Sequence, residues 1–149
     1  MNIEQFLEEC KRNESTLIAD RRFLHTHPGT GFDISDTISY VKQQLEEMGY
    51  EPMPCGKAGL TVLAGGKQPG KVFLLRADMD ALPIHEEADV DFASTNGNMH
   101  ACGHDMHTTM LLGAARTRSR AAWAVSTVHR TLSSVGAPVA HSWKLRSTL

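Results

Sequence analysis

The distribution of acidic residues divides this chain into two unequal parts. All 17 Asp and Glu residues lie within residues 1–116, whereas residues 117–149 contain five Lys or Arg residues and no acid. The first part alternates apolar and polar residues at helical and strand periods, and the second follows neither period. A Ser-, Thr- and Arg-rich stretch without a period is typical of poorly ordered structure. The sequence therefore predicts one folded unit over 1–116 and an unrelated basic tail over 117–149.

The composition narrows the class of protein further. The chain has 149 residues, 41% of them apolar, which suits one soluble globular domain. A formal net charge of −2 gives no general attraction to nucleic acid. No apolar run approaches the ~18 residues of a membrane span. The three cysteines, Cys10, Cys55 and Cys102, are too few and too scattered for a disulfide framework. We therefore expect a cytoplasmic protein that binds neither nucleic acid nor membrane.

The periodic part predicts helices at both ends and strands between them. An amphipathic helix is expected over 3–25, ending before His27-Pro28, and a second from Ser35 or Asp36 to Gly49. Strands are expected over 59–66 and 71–80, the latter buried on both faces, with a turn between them. A last helix begins near Asp105. This order predicts an α/β fold, with a mixed sheet and flanking helices, that forms the opening portion of a larger sheet.

Two aspartates end the most apolar of the predicted strands. Asp78 and Asp80, in the sequence RADMD, are two residues apart and so point to one side of an extended chain. Open α/β sheets build their sites at this end of their strands. Aspartate also commonly caps the turn that ends a strand. The residues alone leave both interpretations open.

The sequence HACGHDMH, residues 100–107, concentrates side chains that bind metal ions. Cys102 and His104 flank a glycine, so that a turn could bring a thiolate and an imidazole to one divalent ion. His104 and His107 are three apart and share a helical face, and Asp105 could orient an imidazole. A buried structural cysteine and hydrogen-bonded histidines remain the plainer alternative.

Other interpretations of the cysteines and histidines are weaker. A Cys102–histidine nucleophile pair is possible, although no partner for a triad is identifiable. A zinc finger needs a second ligand pair, which Cys55 does not supply. We interpret His25 and His27, in LHTHPG, as the end of the first helix, where imidazoles lie near the negative pole of the dipole.

Three segments in the same order resemble one family of enzymes. RRFLHTHPGTGF, LLRADMDALPI and NMHACGHDMHTTMLLGAAR are similar to the opening of the N-acyl-amino-acid amidohydrolase and hippurate hydrolase branch of the aminoacylase–carboxypeptidase metallopeptidases. The resemblance covers roughly residues 1–116. It implies the N-terminal portion of a zinc-peptidase-like catalytic domain, without the lid or dimerisation domain, from enzymes that hydrolyse small N-acyl amino acids. Homodimers are expected only of the full-length family form.

The resemblance also implies roles for individual residues. Cys102 and His104 would be ligands in a site that holds two divalent ions (Mn, Zn, Co or Ni) in the family. Asp80 would support catalysis, and Asp78, Asp105 and His107 are candidates for the surrounding shell. In such sites paired ions polarise the amide carbonyl and activate a water, and a glutamate takes its proton.

The chain departs from the family pattern at two places. Gly29 stands where the family usually has a glutamate after the His-Pro pair. The Gln-Pro-x-Glu-Glu segment, which provides the general base and a later ligand, is absent, and His129 and His141 lie in no matching motif. We therefore expect a truncated, inactive chain whose tail arose by a frameshift, which reading the other two frames beyond Arg116 would test. The alternatives are a non-catalytic metal-binding or interaction fragment and a cysteine-dependent enzyme.

Overall fold

The computed structural model describes residues 3–64, 72–118 and 126–127. Its helices are α1 (Ile3–Arg12), α2 (Glu14–Thr26), α3 (Ser35–Glu47) and α4 (His104–Arg118). Its strands are β1 (Met53–Cys55), β2 (Gly59–Thr61) and β3 (Ser126–Thr127). The strands form an antiparallel sheet in the order β1-β2-β3, with Pro54 opposite Leu60 and Leu60 opposite Thr127. The α/β fold class predicted from the sequence is confirmed.

The predicted first helix is present but interrupted. Asn13 separates α1 from α2, and its side-chain amide donates to the carbonyl of Glu9 at 3.0 Å. A side chain that bonds a carbonyl one turn earlier competes with the helical backbone, which explains the break. The predicted helices at Ser35 and near Asp105 are confirmed. Gly49 follows α3 with φ of +83°, the left-handed conformation that commonly ends a helix.

The strand prediction for residues 71–80 is wrong for its described part. Residues 72–80 lie outside helices and strands, and Val72 and Leu74 are 83% and 67% exposed. A buried strand needs neighbouring strands on both sides, and no strand of the described residues pairs with this segment. The prediction for 59–66 is confirmed over Gly59–Thr61. The predicted turn over 65–70 lies outside the described residues.

The core lies between the helices and the sheet. Leu24 of α2, Val41 and Leu45 of α3 and Leu112 of α4 are almost fully buried, and Leu60 of β2 joins them. Met79, between the two predicted site aspartates, is completely buried. The backbone carbonyls of its neighbours Asp78 and Asp80 contact Thr108 and His104 of α4.

Most of the predicted basic tail lies outside the described residues. Thr117 is buried in α4, which therefore extends past the predicted boundary at Arg116. The remaining described tail residues are those of β3. Among the described residues, no helix is both long and apolar enough to cross a membrane.

Candidate metal centre

The segment that contains Asp80 lies between the two histidine-containing motifs. The amide of Ala81 donates to the carbonyl of Gly29 at 2.7 Å, which ties the segment to the turn after His27-Pro28. Leu82 and Met99 exchange two backbone hydrogen bonds of 3.0 Å, which tie it to the loop before Cys102. The turn after His27-Pro28, the segment that contains Asp80 and the loop before Cys102 are far apart in the sequence but thus lie together in the fold.

Cys102 and His104 both contact the backbone carbonyl of Asp80. The Cys102 Sγ lies 3.7 Å from this oxygen, and the His104 Nδ1 lies 2.8 Å from it and 3.2 Å from the Asp80 Oδ1. A carbonyl only accepts, so Nδ1 must donate, and the lone pair of a neutral ring is then on Nε2. Imidazoles that bind metals commonly hold their second nitrogen in this way. The predicted ligand pair is therefore brought together and oriented.

Gly103 allows the chain to make this turn. Its φ of +80° lies in the left-handed region, which glycine adopts without the steric cost that a side chain would add. Its amide donates to the carbonyl of His100, and its carbonyl accepts from the amides of Met106 and His107. Gly103 consequently places Cys102 before α4 and His104 at its first position.

The carbonyls of the DMD motif hold the first turns of α4. Thr108 donates its hydroxyl to the carbonyl of Asp78 at 3.0 Å, one helical turn after His104 bonds Asp80. The Asp78 carboxylate pairs with Arg76. Asp78 thus supports α4 through its backbone, and its carboxylate is engaged by a neighbouring guanidinium.

The Asp105 carboxylate contacts His25 of α2. Its Oδ2 lies 2.7 Å from the His25 Nδ1 and 3.0 Å from the Arg21 Nε. The other ring nitrogen of His25 lies 2.8 Å from the Glu86 Oε2. The side chains of Asp105, His25 and Glu86 are at most 5% exposed. We call these four residues, Arg21, His25, Glu86 and Asp105, the His25 cluster.

Charges within the His25 cluster favour an ionised Glu86. Burial raises the pKa of Glu86, but hydrogen bonds from the Ala88 amide and from His25 outweigh it and hold this pKa below its ordinary value. Each ring nitrogen of His25 lies within hydrogen-bond distance of a carboxylate oxygen. The contact between His25 and Glu86 was not predicted from the sequence. The position of His25 four residues after Arg21, on one helical face, was the available signal.

The remaining histidines differ in their surroundings. His100 is buried, and neither of its ring nitrogens has a hydrogen-bond partner among the described residues. Burial lowers the pKa of His100 to about 4, so the ring is neutral at neutral pH. His107 is exposed, with its ring centroid 5.6 Å from that of His104. His27 bonds the carbonyl of Phe23 at the end of α2, as the sequence predicted.

The side chains of Cys102 and His104 would form part of the ligand set of a metal centre. Cys102 and His104 are a soft thiol and an imidazole, a pair suited to zinc and similar ions. Within residues 3–64, 72–118 and 126–127, no group of three or more His, Cys, Asp or Glu side chains is arranged to hold an ion. All three cysteines are free thiols. The described part of the chain therefore offers two donors.

The backbone around Gly29 leaves no space for a side chain at this position. A Cβ added at Gly29 would overlap the carbonyl oxygen of Asp33 and lie 3.0 Å from the Ile34 Cα. The amide of Asp33 bonds the carbonyl of Thr30, which folds this loop back on itself. A glutamate at position 29 would therefore require a different loop.

Known proteins match this fold and these motifs. The family model for peptidase family M20/M25/M40 matches residues 74–131. An N-acyl-L-amino acid amidohydrolase of Geobacillus stearothermophilus is 45% identical over 79% of this chain and 32% of its own length. An N-acetylcysteine deacetylase of Bacillus subtilis is 42% identical over 70% of this chain and 28% of its own length.

A solved structure agrees with these relatives. A dinuclear metal-binding peptidase of the M20 family from Bacillus subtilis superposes with a TM-score of 0.74 at 36% identity, over 80% of this chain and 35% of its own. The described fold matches part of the fold of this M20 peptidase. The N-terminal segment of the chain is similar to members of the M20 peptidase family, among them an amidohydrolase and a deacetylase. The chain spans about a third of the length of the relatives it matches.

Proposed function

We propose that this chain supplies Cys102 and His104 as ligands to a divalent metal centre in an amidohydrolase that acts on small N-acyl amino acids. The observation that carries the proposal is the hydrogen bond from the His104 Nδ1 to the Asp80 carbonyl, beside the Cys102 thiol. It fixes the tautomer that leaves Nε2 for an ion. The amidohydrolase and deacetylase names of the relatives supply the substrate class.

In such a reaction water replaces the amine at the acyl carbon. The C–N bond breaks, a C–O bond forms, and the nitrogen leaves with a proton as a free amino acid. Bound divalent ions supply Lewis acidity toward the acyl oxygen and the water. In this chain Asp80 would support the centre by holding His104, and Asp78 by anchoring α4. Glu86 is occupied by His25 and does not serve as the general base.

We propose further that the 149-residue chain binds metal without appreciable hydrolysis. Its described residues provide two donors, and the nearby Asp80 carboxylate is bonded to one of them, His104. The division into a catalytic portion over 1–116 and an unrelated tail over 117–149 remains our proposal. Free cysteines fit a reducing compartment, and we place the protein in the cytoplasm.

Cobalt titration tests the metal site. Because a thiolate bound to Co²⁺ absorbs in the near ultraviolet, the chain should develop this band as Co²⁺ is added, and Cys102→Ala should abolish it. His104→Ala should weaken binding, whereas Cys55→Ala should bind as the parent chain does. An unchanged band in Cys102→Ala, or no band in any variant, would contradict the proposed ligands.

Hydrolysis of hippurate and N-acetyl amino acids should then be measured with Mn²⁺, Zn²⁺ or Co²⁺ supplied. We expect the chain to release no more amino acid than Cys102→Ala does. Turnover above that control would overturn the proposal that two donors are insufficient. Activity that resists chelators but is lost on thiol alkylation would instead favour a cysteine-dependent enzyme.

A further inference from the structure

The ring of His25 bridges two carboxylates from distant parts of the chain. Its Nδ1 lies 2.7 Å from the Asp105 Oδ2 and its Nε2 lies 2.8 Å from the Glu86 Oε2. The ring is 5% exposed and is packed edge-on to Phe92. A ring fixed at both nitrogens and along its edge has little freedom to rotate, so its position is defined by α2 and the loop that contains Glu86.

The Asp105 carboxylate connects the ring of His25 to α4. Its Oδ2 also accepts from the Arg21 Nε at 3.0 Å, and its Oδ1 accepts from the amide of Met106 at 2.8 Å. The carboxylate is thus bound by two side chains and by the backbone of its own helix. Any shift of the carboxylate moves the first turn of α4, where Asp105 follows His104 directly.

Each buried polar group of the His25 cluster has a partner. Asp105 contacts Arg21 and His25, and Glu86 contacts His25 and the amide of Ala88. Burying this set is tolerable because each charge has a partner, and removing one member leaves another unpaired. The members of the cluster therefore hold one another in place, and its Asp105 directly follows the proposed ligand His104.

We propose that His25 is a positioning residue that acts through Asp105 to hold His104 and Cys102 in their metal-binding arrangement. This inference rests on the proposed function, because it presupposes that these two residues bind an ion. It gives His25 a role beyond ending α2, and it makes Glu86 the group that sets the orientation of the ring.

Two substitutions of similar shape, His25→Asn and His25→Gln, test the contacts of the two ring nitrogens separately. The amide nitrogen of an asparagine lies close to the position of Nδ1, and that of a glutamine lies close to the position of Nε2. His25→Asn therefore keeps a donor for Asp105, whereas His25→Gln keeps one for Glu86. His27→Gln, at the exposed neighbouring histidine, serves as the control.

Cobalt affinity and the cobalt spectrum are the measurements. We expect His25→Gln and His25→Ala to weaken Co²⁺ binding roughly 10- to 100-fold and to shift the thiolate–cobalt band at saturation. His25→Asn should recover most of the affinity and the parent spectrum, and His27→Gln should match the parent chain. If His25 has a purely structural role, the loss of Co²⁺ affinity in His25→Asn and His25→Gln should follow the loss in their free energies of unfolding. The cobalt spectrum at saturation should then be unchanged.

The outcomes distinguish this inference from the proposed function. If the parent chain gives no thiolate–cobalt band, the proposed function fails and this inference fails with it. If the parent chain binds Co²⁺ but His25→Asn and His25→Gln are equal, the inference alone is overturned. Should the His25 variants fail to fold, the isosteric Asp105→Asn replaces them, and an affinity within twofold of the parent chain would overturn the inference.

Discussion

At the residue scale, Gly29 occupies a position where the backbone leaves no space for a side chain. Because a Cβ there would meet the backbone of Asp33 and Ile34, we expect Gly29→Ala to lower the free energy of unfolding by about 1–3 kcal/mol. Urea denaturation followed by circular dichroism measures this change. Thr95→Ala, at an exposed residue of a neighbouring loop, should stay within about 0.5 kcal/mol of the parent chain. A Gly29→Ala variant as stable as Thr95→Ala would show that the loop adapts easily.

Glu86 gives the chain a stability that depends on pH. Its pKa in the folded state lies below the ordinary value of 4.5, so the ionised form favours folding. This contribution is fully present above pH 4.5 and is lost as the pH falls through the lower, folded-state pKa. Glu86→Gln should therefore be less stable than the parent chain at pH 7, and the difference should shrink below pH 4.5.

The adjacent Glu87 is exposed and offers a matched comparison. Glu87→Gln should follow the parent chain across the same pH range, in denaturation curves recorded from pH 7 to 3.5. A difference between Glu86→Gln and the parent chain that stays constant through this range would contradict an ionised, stabilising Glu86.

Local spacing accounts for the parts of the site that the sequence predicted. Cys102, Gly103 and His104 are consecutive, and the geometry of this turn follows from a single glycine. The carboxylate partners of His25 are 61 and 80 residues away, and only its spacing of four residues from Arg21 is a local signal of the cluster. The sequence therefore indicated the proposed ligand pair but not the His25 cluster, because contacts between distant segments depend on how the helices pack.

At the scale of elements, a buried ion pair joins α2, α3 and α4. Arg116 donates to the Asp20 Oδ2 at 3.1 Å, and Tyr40 donates its hydroxyl to the Asp20 Oδ1 at 2.7 Å. Burial, and then the hydrogen bond to Asp20, raise the pKa of Tyr40 above its ordinary value. Tyr40 thus remains a neutral donor under all ordinary conditions.

Removing Asp20 should destabilise the helices strongly. Its side chain is 2% exposed and that of Arg116 is 14% exposed. We expect Asp20→Ala to cost about 3–5 kcal/mol in urea denaturation, since it leaves a buried guanidinium without its carboxylate. Tyr40→Phe removes one hydrogen bond and should cost about 1 kcal/mol. Glu8→Gln, which breaks the exposed pair with Lys11, should cost less than 1 kcal/mol. Equal losses in the free energy of unfolding for Asp20→Ala and Glu8→Gln would show that the buried Asp20–Arg116 pair stabilises the helices no more than an exposed pair does.

Element predictions succeeded where the local pattern determines the structure. The predicted helices at Ser35 and near Asp105 formed at the expected positions because apolar periodicity is a local signal, although Ile34, without a side-chain cap, is the N-cap of α3. The strand expected over 71–80 depends on neighbouring strands, and its described residues lie outside any strand. β1 was not predicted because Pro54 lies at its centre, and proline is tolerated only in edge strands such as this one.

At the scale of the whole molecule, the described chain exposes apolar side chains over an extended segment. Val72, Phe73, Leu74 and Leu75 are each at least 46% exposed, in a sequence that spans about a third of its relatives. Contiguous exposed apolar surface of this kind promotes association. We therefore expect the 149-residue chain to self-associate as its concentration rises, with sedimentation velocity as the measurement.

A charge within this segment should suppress that association. Leu74→Glu replaces a side chain that is 67% exposed, so the substitution removes apolar surface without disturbing the core. Leu63→Glu makes the same chemical change at a leucine that is 73% exposed but lies outside residues 72–75. We expect Leu74→Glu to raise the concentration at which oligomers form at least severalfold, and Leu63→Glu to have a smaller effect. Equal shifts from both variants would mean that added negative charge, rather than loss of the apolar segment, controls association.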